Sequence, residues 1–230
     1  MLVVGFPVGM LQANCYLLAT EAGQPCVIVD PGQDAVEPID EALREHSLSP
    51  AAVLLTHGHF DHVLSATPVC EEHGVPAWIH PGDRALLTDP LSGLDGGAAA
   101  FFGDVTLREP ADLRELGQDG AELQLAGLRI IVDHSPGHTR GSVLFRVETD
   151  EGGRLVLTGD TLFAGSVGRT DLPGGSSRSL TESLRDKVLS LPDDTVVLPG
   201  HGPSSTIGQE RVSNPYLVAL PGARRAASDR

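Results

Sequence analysis

Cysteine is scarce. Cys15, Cys26 and Cys70 are the only three in 230 residues, the number is odd, and no two form a C-x-x-C pair. This argues against a disulfide framework and fits a reducing compartment. Positive charge is also scarce: 16 Lys and Arg stand against 31 Asp and Glu, a formal net charge of −15. Nucleic acid is not expected as a partner, because neutralising phosphates needs clustered Lys and Arg. Anionic small molecules stay open, since bound cations can reverse the local sign. No uninterrupted apolar run approaches about 18 residues, so no membrane span and no membrane partner are expected. The first twenty residues, MLVVGFPVGMLQANCYLLAT, lack a basic leader region, and Asn14 before Cys15 is a poor lipoprotein cleavage position. A cytoplasmic location is the expectation.

What is present suits one folded unit. Hydrophobic residues make up 40 % of the chain, enough for a sizeable core. The expected domain is 1–220, with 221–230 a flexible tail. Runs rich in Val, Leu and Ile recur between Gly and Pro. NCYLLAT, PCVIVDPG, AAVLLT, VPAWIH, LRIIVDH, GSVLFRV, RLVLTGD and DTVVLPGH read as strands. DAVEPIDEALREHSL reads as a helix with a capping box at Asp34 and Glu37. HVLSATPVCEEHG reads as a helix that Pro68 kinks or restarts. SLTESLRDKVLSL reads as a third helix, with a second capping box at Ser179 and Glu182. The class is α/β. Leu86 to Gly120, rich in Gly, Asp and Ala, reads as a loop or lid, with Phe101 and Phe102 either covering a substrate or packing on the surface.

Four strands end in polar groups that are costly to bury unpaired. AAVLLT leads into His57, His59, Asp61 and His62; LRIIVDHSPG into His138; RLVLTG into Asp160; DTVVLPG into His201. Open α/β folds place their sites in the crevice outside the carboxyl ends of strands. Gly58, Gly137, Gly159 and Gly200 precede these residues and would let the chain turn sharply. Five histidines and two aspartates suit two divalent metals in N/O coordination, Zn foremost, with Fe or Mn as alternatives. Two close metals need a bridge, and Asp160 is the lone carboxylate at its strand end. A single histidine at a strand end is ordinarily a turn or core residue. His46, His73 and His80 are read that way, and His134 as a hydrogen-bonding neighbour of the site. Asp30 is read as a turn and supporting residue, Arg169 and Asp171 as structural support, and Cys15 and Cys70 as buried and inert.

THGHFDH resembles the T-H-x-H-x-D-H signature of the metallo-β-lactamase fold hydrolases. The likeness continues through SPGHTRGS, TGDTLFAGSVGRTDLPGG and LPGHGPSSTIGQERVSNP, in order over nearly the whole chain. The last two segments resemble the small bacterial branch of the glyoxalase II (hydroxyacylglutathione hydrolase) family. The resemblance implies a four-layer αβ/βα sandwich with the metals at one edge. It assigns His57, His59 and His138 to a first metal, Asp61, His62 and His201 to a second, and Asp160 to both. It also implies a small-molecule thioester substrate such as S-lactoylglutathione. Longer members add a C-terminal helical domain that grips glutathione; this chain ends soon after ERVSNPYLVAL, so weak selectivity for the thiol half is expected.

The expected chemistry is metal-hydroxide attack on the thioester carbonyl, with Asp61 both ligating and orienting the hydroxide. A sulfur dioxygenase with one iron held by two histidines and an aspartate shares the histidine motif and stays an alternative. An RNA phosphodiesterase is disfavoured by charge. A non-catalytic metal-binding module would not need an activating aspartate.

Overall fold

Alternation along single strands sorts the side chains of this protein into three cores. The computed structural model describes residues 1–94, 108–149 and 152–221. Phe101, Phe102 and the tail from 222 onward lie outside the described residues. In strand β2 (Ala13–Ala19), Cys15 and Leu17 join one core while Tyr16 and Leu18 join another. That period of two follows from the pleat.

The first sheet has the order β1 (Leu2–Val8), β2, β3 (Pro25–Val29), β4 (Ser49–Leu54), β5 (Ala77–Ile79), β6 (Leu113–Glu115). The β1–β2 and β2–β3 pairs are antiparallel; the remaining three pairs are parallel. Helices α1 (Val36–His46) and α3 (Ala66–His73) cover its outer face through Ile39, Leu43, Val69 and Cys70. Between them runs the single-turn helix α2 (Phe60–Val63).

The second sheet has the order β12 (Ser205–Thr206), β11 (Val196–Pro199), β10 (Arg154–Gly159), β9 (Val143–Glu148), β8 (Leu128–His134), β7 (Ala121–Leu125). Its outer face packs on Leu180 and Leu184, from α4 (Ser177–Ser183) and the π-helical turn that extends it, and on Ile207 and Leu217 from α5 (Ile207–Ser213) and α6 (Pro215–Val218). The inner faces meet in a third core, with Leu54 and Trp78 on one side and Ile130, Phe145 and Leu157 on the other. The layers run helix, sheet, sheet, helix, as the resemblance implies.

Several local expectations are corrected. Asp34 does not cap α1: the cap position is Ala35, with no side-chain cap bond, and Asp34 has a left-handed φ of 58°. The backbone N–H of Ala35 donates instead to Ser65 Oγ across the layer. The cap of helix α4 lies three residues before the expected Ser179: Ser176 Oγ accepts from the Ser179 N–H at 3.2 Å. Glu182 is free to pair with Arg178. The helical segment after His62 restarts at Ala66, which puts Pro68 in the first turn, where a missing N–H costs little. The Leu86–Gly120 stretch is not wholly loop, since β6 lies inside it, and a 3-10 turn (Pro90–Gly93) precedes it. Among the described residues no helix is long and apolar enough to cross a membrane. All three cysteines are buried and unbridged, and burial pushes the Cys26 and Cys70 thiols up to about 12.

Candidate metal centre

Strand direction explains why the seven residues meet. Strands β8 and β10 both run antiparallel to β9, and β11 is parallel to β10. Their carboxyl ends therefore share one edge. The turn after β8 presents His138, Asp160 follows β10 and His201 follows β11. The first sheet supplies His57 and His59 just after β4, and Asp61 and His62 from α2. The Val143 N–H donates to the Thr56 carbonyl at 2.9 Å, joining the two sheets at this edge.

Two triads result. In His57, His59 and His138, and again in Asp61, His62 and His201, one potential ligand atom per residue lies within 4.8 Å of the others. His59 Nδ1 is 2.8 Å from His138 Nε2. His62 Nε2 is 3.3 Å from His201 Nε2, which is 3.2 Å from Asp61 Oδ2. Asp160 stands between the triads. Its Oδ2 is 3.4 Å from His138 Nε2 and 3.7 Å from His201 Nε2, while Oδ1 is 3.4 Å from His62 Nε2.

Outer hydrogen bonds fix which ring nitrogen faces inward. The Thr56 hydroxyl donates its one hydrogen to Asp30 Oδ2 at 2.6 Å, so it can only accept from His57 Nδ1 at 3.1 Å. His138 Nδ1 donates to the Arg169 carbonyl at 2.8 Å, and His62 Nδ1 donates to Asp30 at 3.0 Å. Each ring then turns its Nε2 toward the centre, as metal-binding histidines do. His57 Nε2 and Asp160 Oδ1 are buried with no hydrogen-bond partner. Leaving such atoms unsatisfied is costly, and a cation would satisfy both. The donor set, imidazole and carboxylate without thiolate, fits Zn, Fe or Mn.

The triads differ in charge. Burial and the neighbouring imidazoles hold His57 well below its ordinary value, and bring His59 down to about 3. Both rings are therefore neutral. At His62 burial pulls downward, but Asp61, Asp160 and Asp30 outweigh it and raise the ring to about 10. At His201 burial is likewise outweighed, by the Asp61 hydrogen bond and the charge of Asp160. Burial acts to raise Asp61, yet His62 and His201 hold it well below the usual carboxylate range. Protons here balance a surplus of carboxylates, which a divalent ion would replace.

Other expected residues fall into place around this core. Asp30, buried and at φ 51°, accepts from the Thr56 N–H, the Thr56 hydroxyl and His62. Arg169 supports His138 through its carbonyl, and its side chain pairs with Asp171. His134 donates through Nε2 to the Arg140 carbonyl and stacks on His80 at 4.1 Å. His73 lies away from the centre, against Asp40, and His46 ends α1. The glycines need finer reasons than sharp turning. Gly137, at φ +146°, adopts a backbone that disfavours any side chain. Gly200 has no such φ; a Cβ there would sit 2.2 Å from Asp160 Oδ1.

Two supports had no signal in the sequence. Asn14 Nδ2 donates to the Pro199 and Gly202 carbonyls, pinning the turn that presents His201. Asp83 is buried and accepts from the Gly58 N–H, the Thr139 hydroxyl and the Gly141 N–H at 2.9, 2.6 and 2.7 Å. It ties the His57–His59 loop to the His138 loop across two sheets. Asp83→Asn exchanges one acceptor oxygen for a donor facing donors. We expect metal affinity at the first triad to fall about 10- to 100-fold, with the second triad less affected. Competition with a chromogenic chelator measures this; equal loss at both sites would mean general unfolding instead.

Comparison with known proteins follows the same outline. Residues 8–201 match the Metallo-beta-lactamase superfamily. The hydroxyacylglutathione hydrolase GloC of Haemophilus influenzae is 37 % identical over 92 % of this chain and 95 % of its own. The crystal structure of the B3 metallo-beta-lactamase BLEG-1 is 37 % identical, with TM-score 0.84 over 95 % of this chain and 100 % of that one. The structure of TTHA1623 in a di-iron-bound form is 40 % identical, with TM-score 0.76 over 93 % of this chain and 100 % of that one.

Proposed function

The chain belongs to the metallo-β-lactamase superfamily, and on that premise we propose that it is a binuclear metal-dependent hydrolase of thioesters. The reaction would be glyoxalase II-like: a 2-hydroxyacyl thioester plus water gives a hydroxy acid and a free thiol. The observation behind this reading is the position of Asp160, whose two oxygens reach both triads at 3.4–3.7 Å. In this reading His57, His59 and His138 hold one ion, Asp61, His62 and His201 the other, and Asp160 joins them. Bound ions would lower the pKa of a water to about 7 and polarise the carbonyl. Asp61 orients the attacking water, while Asp30 holds His62 and the Arg169 carbonyl holds His138 in the required tautomers. The relative named GloC supports the thioester class, and the di-iron form of TTHA1623 supports iron as an alternative to zinc.

The likeness to BLEG-1 favours a second reading, β-lactam hydrolysis. A single panel separates the readings. Protein with measured metal content is assayed on S-lactoylglutathione, on lactoyl thioesters of other small thiols, on a chromogenic cephalosporin, and for oxygen uptake with a persulfide. We expect kcat/KM of at least about 10⁴ M⁻¹ s⁻¹ on a thioester, well above the cephalosporin and with no oxygen uptake. Absence of thioester turnover in doubly loaded protein removes the proposal. Oxygen uptake would instead indicate a dioxygenase.

A further inference from the structure

Among the described residues, ten of the twelve arginines pair with a neighbouring carboxylate. Among the described residues from Arg84 to Arg211, Arg140 alone has no acidic partner. Arg44 also lacks one, but it lies in the last turn of α1, where the helix carbonyls favour a cation. Arg140 sits two residues beyond His138, with its side chain exposed.

Its backbone is held on both sides. The Arg140 carbonyl accepts from His134 Nε2 at 2.9 Å, and the next N–H, on Gly141, donates to Asp83 at 2.7 Å. Asp83, which lines the same cleft, is buried and already accepts three hydrogen bonds. Arg140 lines a cleft of about 250 Å³ with Leu86, Ser92, Pro173 and Gly174. The cleft walls are the segments that pack on the first triad. A Cβ on Gly58 would meet Leu86 at 2.8 Å, and one on Gly93, beside Ser92, would meet the His59 ring at 3.2 Å. A positioned, unpaired guanidinium beside a hydrolytic centre is suited to a carboxylate, which it can bind through two parallel hydrogen bonds.

We propose that the cleft beside the first triad is a substrate subsite in which Arg140 binds a carboxylate of the thioester. The inference rests on the thioester reading above. The carboxylate can belong to either half of the substrate, the thiol or the acyl group. Three substrates distinguish the sources: S-lactoylglutathione, with carboxylates on the thiol; the succinyl thioester of N-acetylcysteamine, with one on the acyl group; and the lactoyl thioester of N-acetylcysteamine, with none.

The test is the ratio of kcat/KM for each anionic substrate to that for the uncharged one. In the wild type one of the two ratios is expected to exceed unity by about tenfold, mainly through KM, and to shrink as salt rises from about 20 to 500 mM. Arg140→Gln should reduce that ratio about tenfold, and Arg140→Lys should restore part of it. Metal content checks that the variant retains its centre. Ratios unaltered by Arg140→Gln would overturn the proposal. If the wild type cleaves no thioester, the functional reading fails separately. The subsite is then tested by calorimetry with S-methylglutathione and with succinate at low salt. Weaker binding of either by Arg140→Gln supports the subsite, and equal or absent binding overturns it.

Discussion

Asp160→Ala is expected to abolish turnover, by at least about a thousandfold or ~4 kcal/mol in the barrier, and to lower metal content below two equivalents. One side chain does two jobs here. Its oxygens face His138 and His201 on one side and His62 on the other, so its loss leaves two triads with no common ligand. The chain should still fold, because the side chain lies among the polar groups His62, His138 and His201 and is no part of the hydrophobic packing. Kinetics and elemental analysis of the same preparation check the result, and near-normal turnover would mean that Asp160 joins nothing. Gly200→Ala approaches the same carboxylate from the backbone side. Its Cβ would lie 2.2 Å from Asp160 Oδ1 and 2.9 Å from His62 Cε1. Activity should therefore fall in that variant without any ligand having been removed.

Metal removal is the second large effect. Chelated protein should lose activity completely. It should also unfold earlier, because the site is a buried collection of imidazoles and carboxylates that a cation stabilises only in the folded chain. Ion present at a hundred times its dissociation constant contributes about 2.7 kcal/mol. For a chain of this size that corresponds to roughly 5–10 °C in Tm. Restoring Zn, Fe or Mn should recover activity, with saturation at two equivalents. Binding should release protons, since His62 is held near 10 by Asp61, Asp160 and Asp30 against the pull of burial. Saturation at one equivalent would argue for a mononuclear centre and strengthen the dioxygenase alternative.

The sequence by itself determined the central strands and the cluster of polar residues at their ends. β2, β3, β4, β9, β10 and β11 carry consecutive buried residues on both faces, so each reads as an apolar run, as β8 does through Ile130, Ile131 and Val132 despite an exposed Arg129, and a costly polar group after such a run stands out. That made His57, His59, Asp61, His62, His138, Asp160 and His201 legible together. The tertiary structure decided the edges. β1 alternates exposed and half-buried residues and includes Pro7, β6 has three residues, β7 exposes Glu122 and Gln124, and β12 has two residues. Such strands form because a neighbour supplies their hydrogen bonds, and their own composition is too weak to announce them. Caps were decided in the same way. The Asp34–Glu37 pattern lost to a bond from Ala35 to Ser65, which comes from another helix region. Asp83, Asn14 and the tautomers of His57, His62 and His138 were likewise settled only by folding. Each depends on a hydrogen bond between loops distant in the chain, and no local spacing encodes which buried donor a carboxylate will meet.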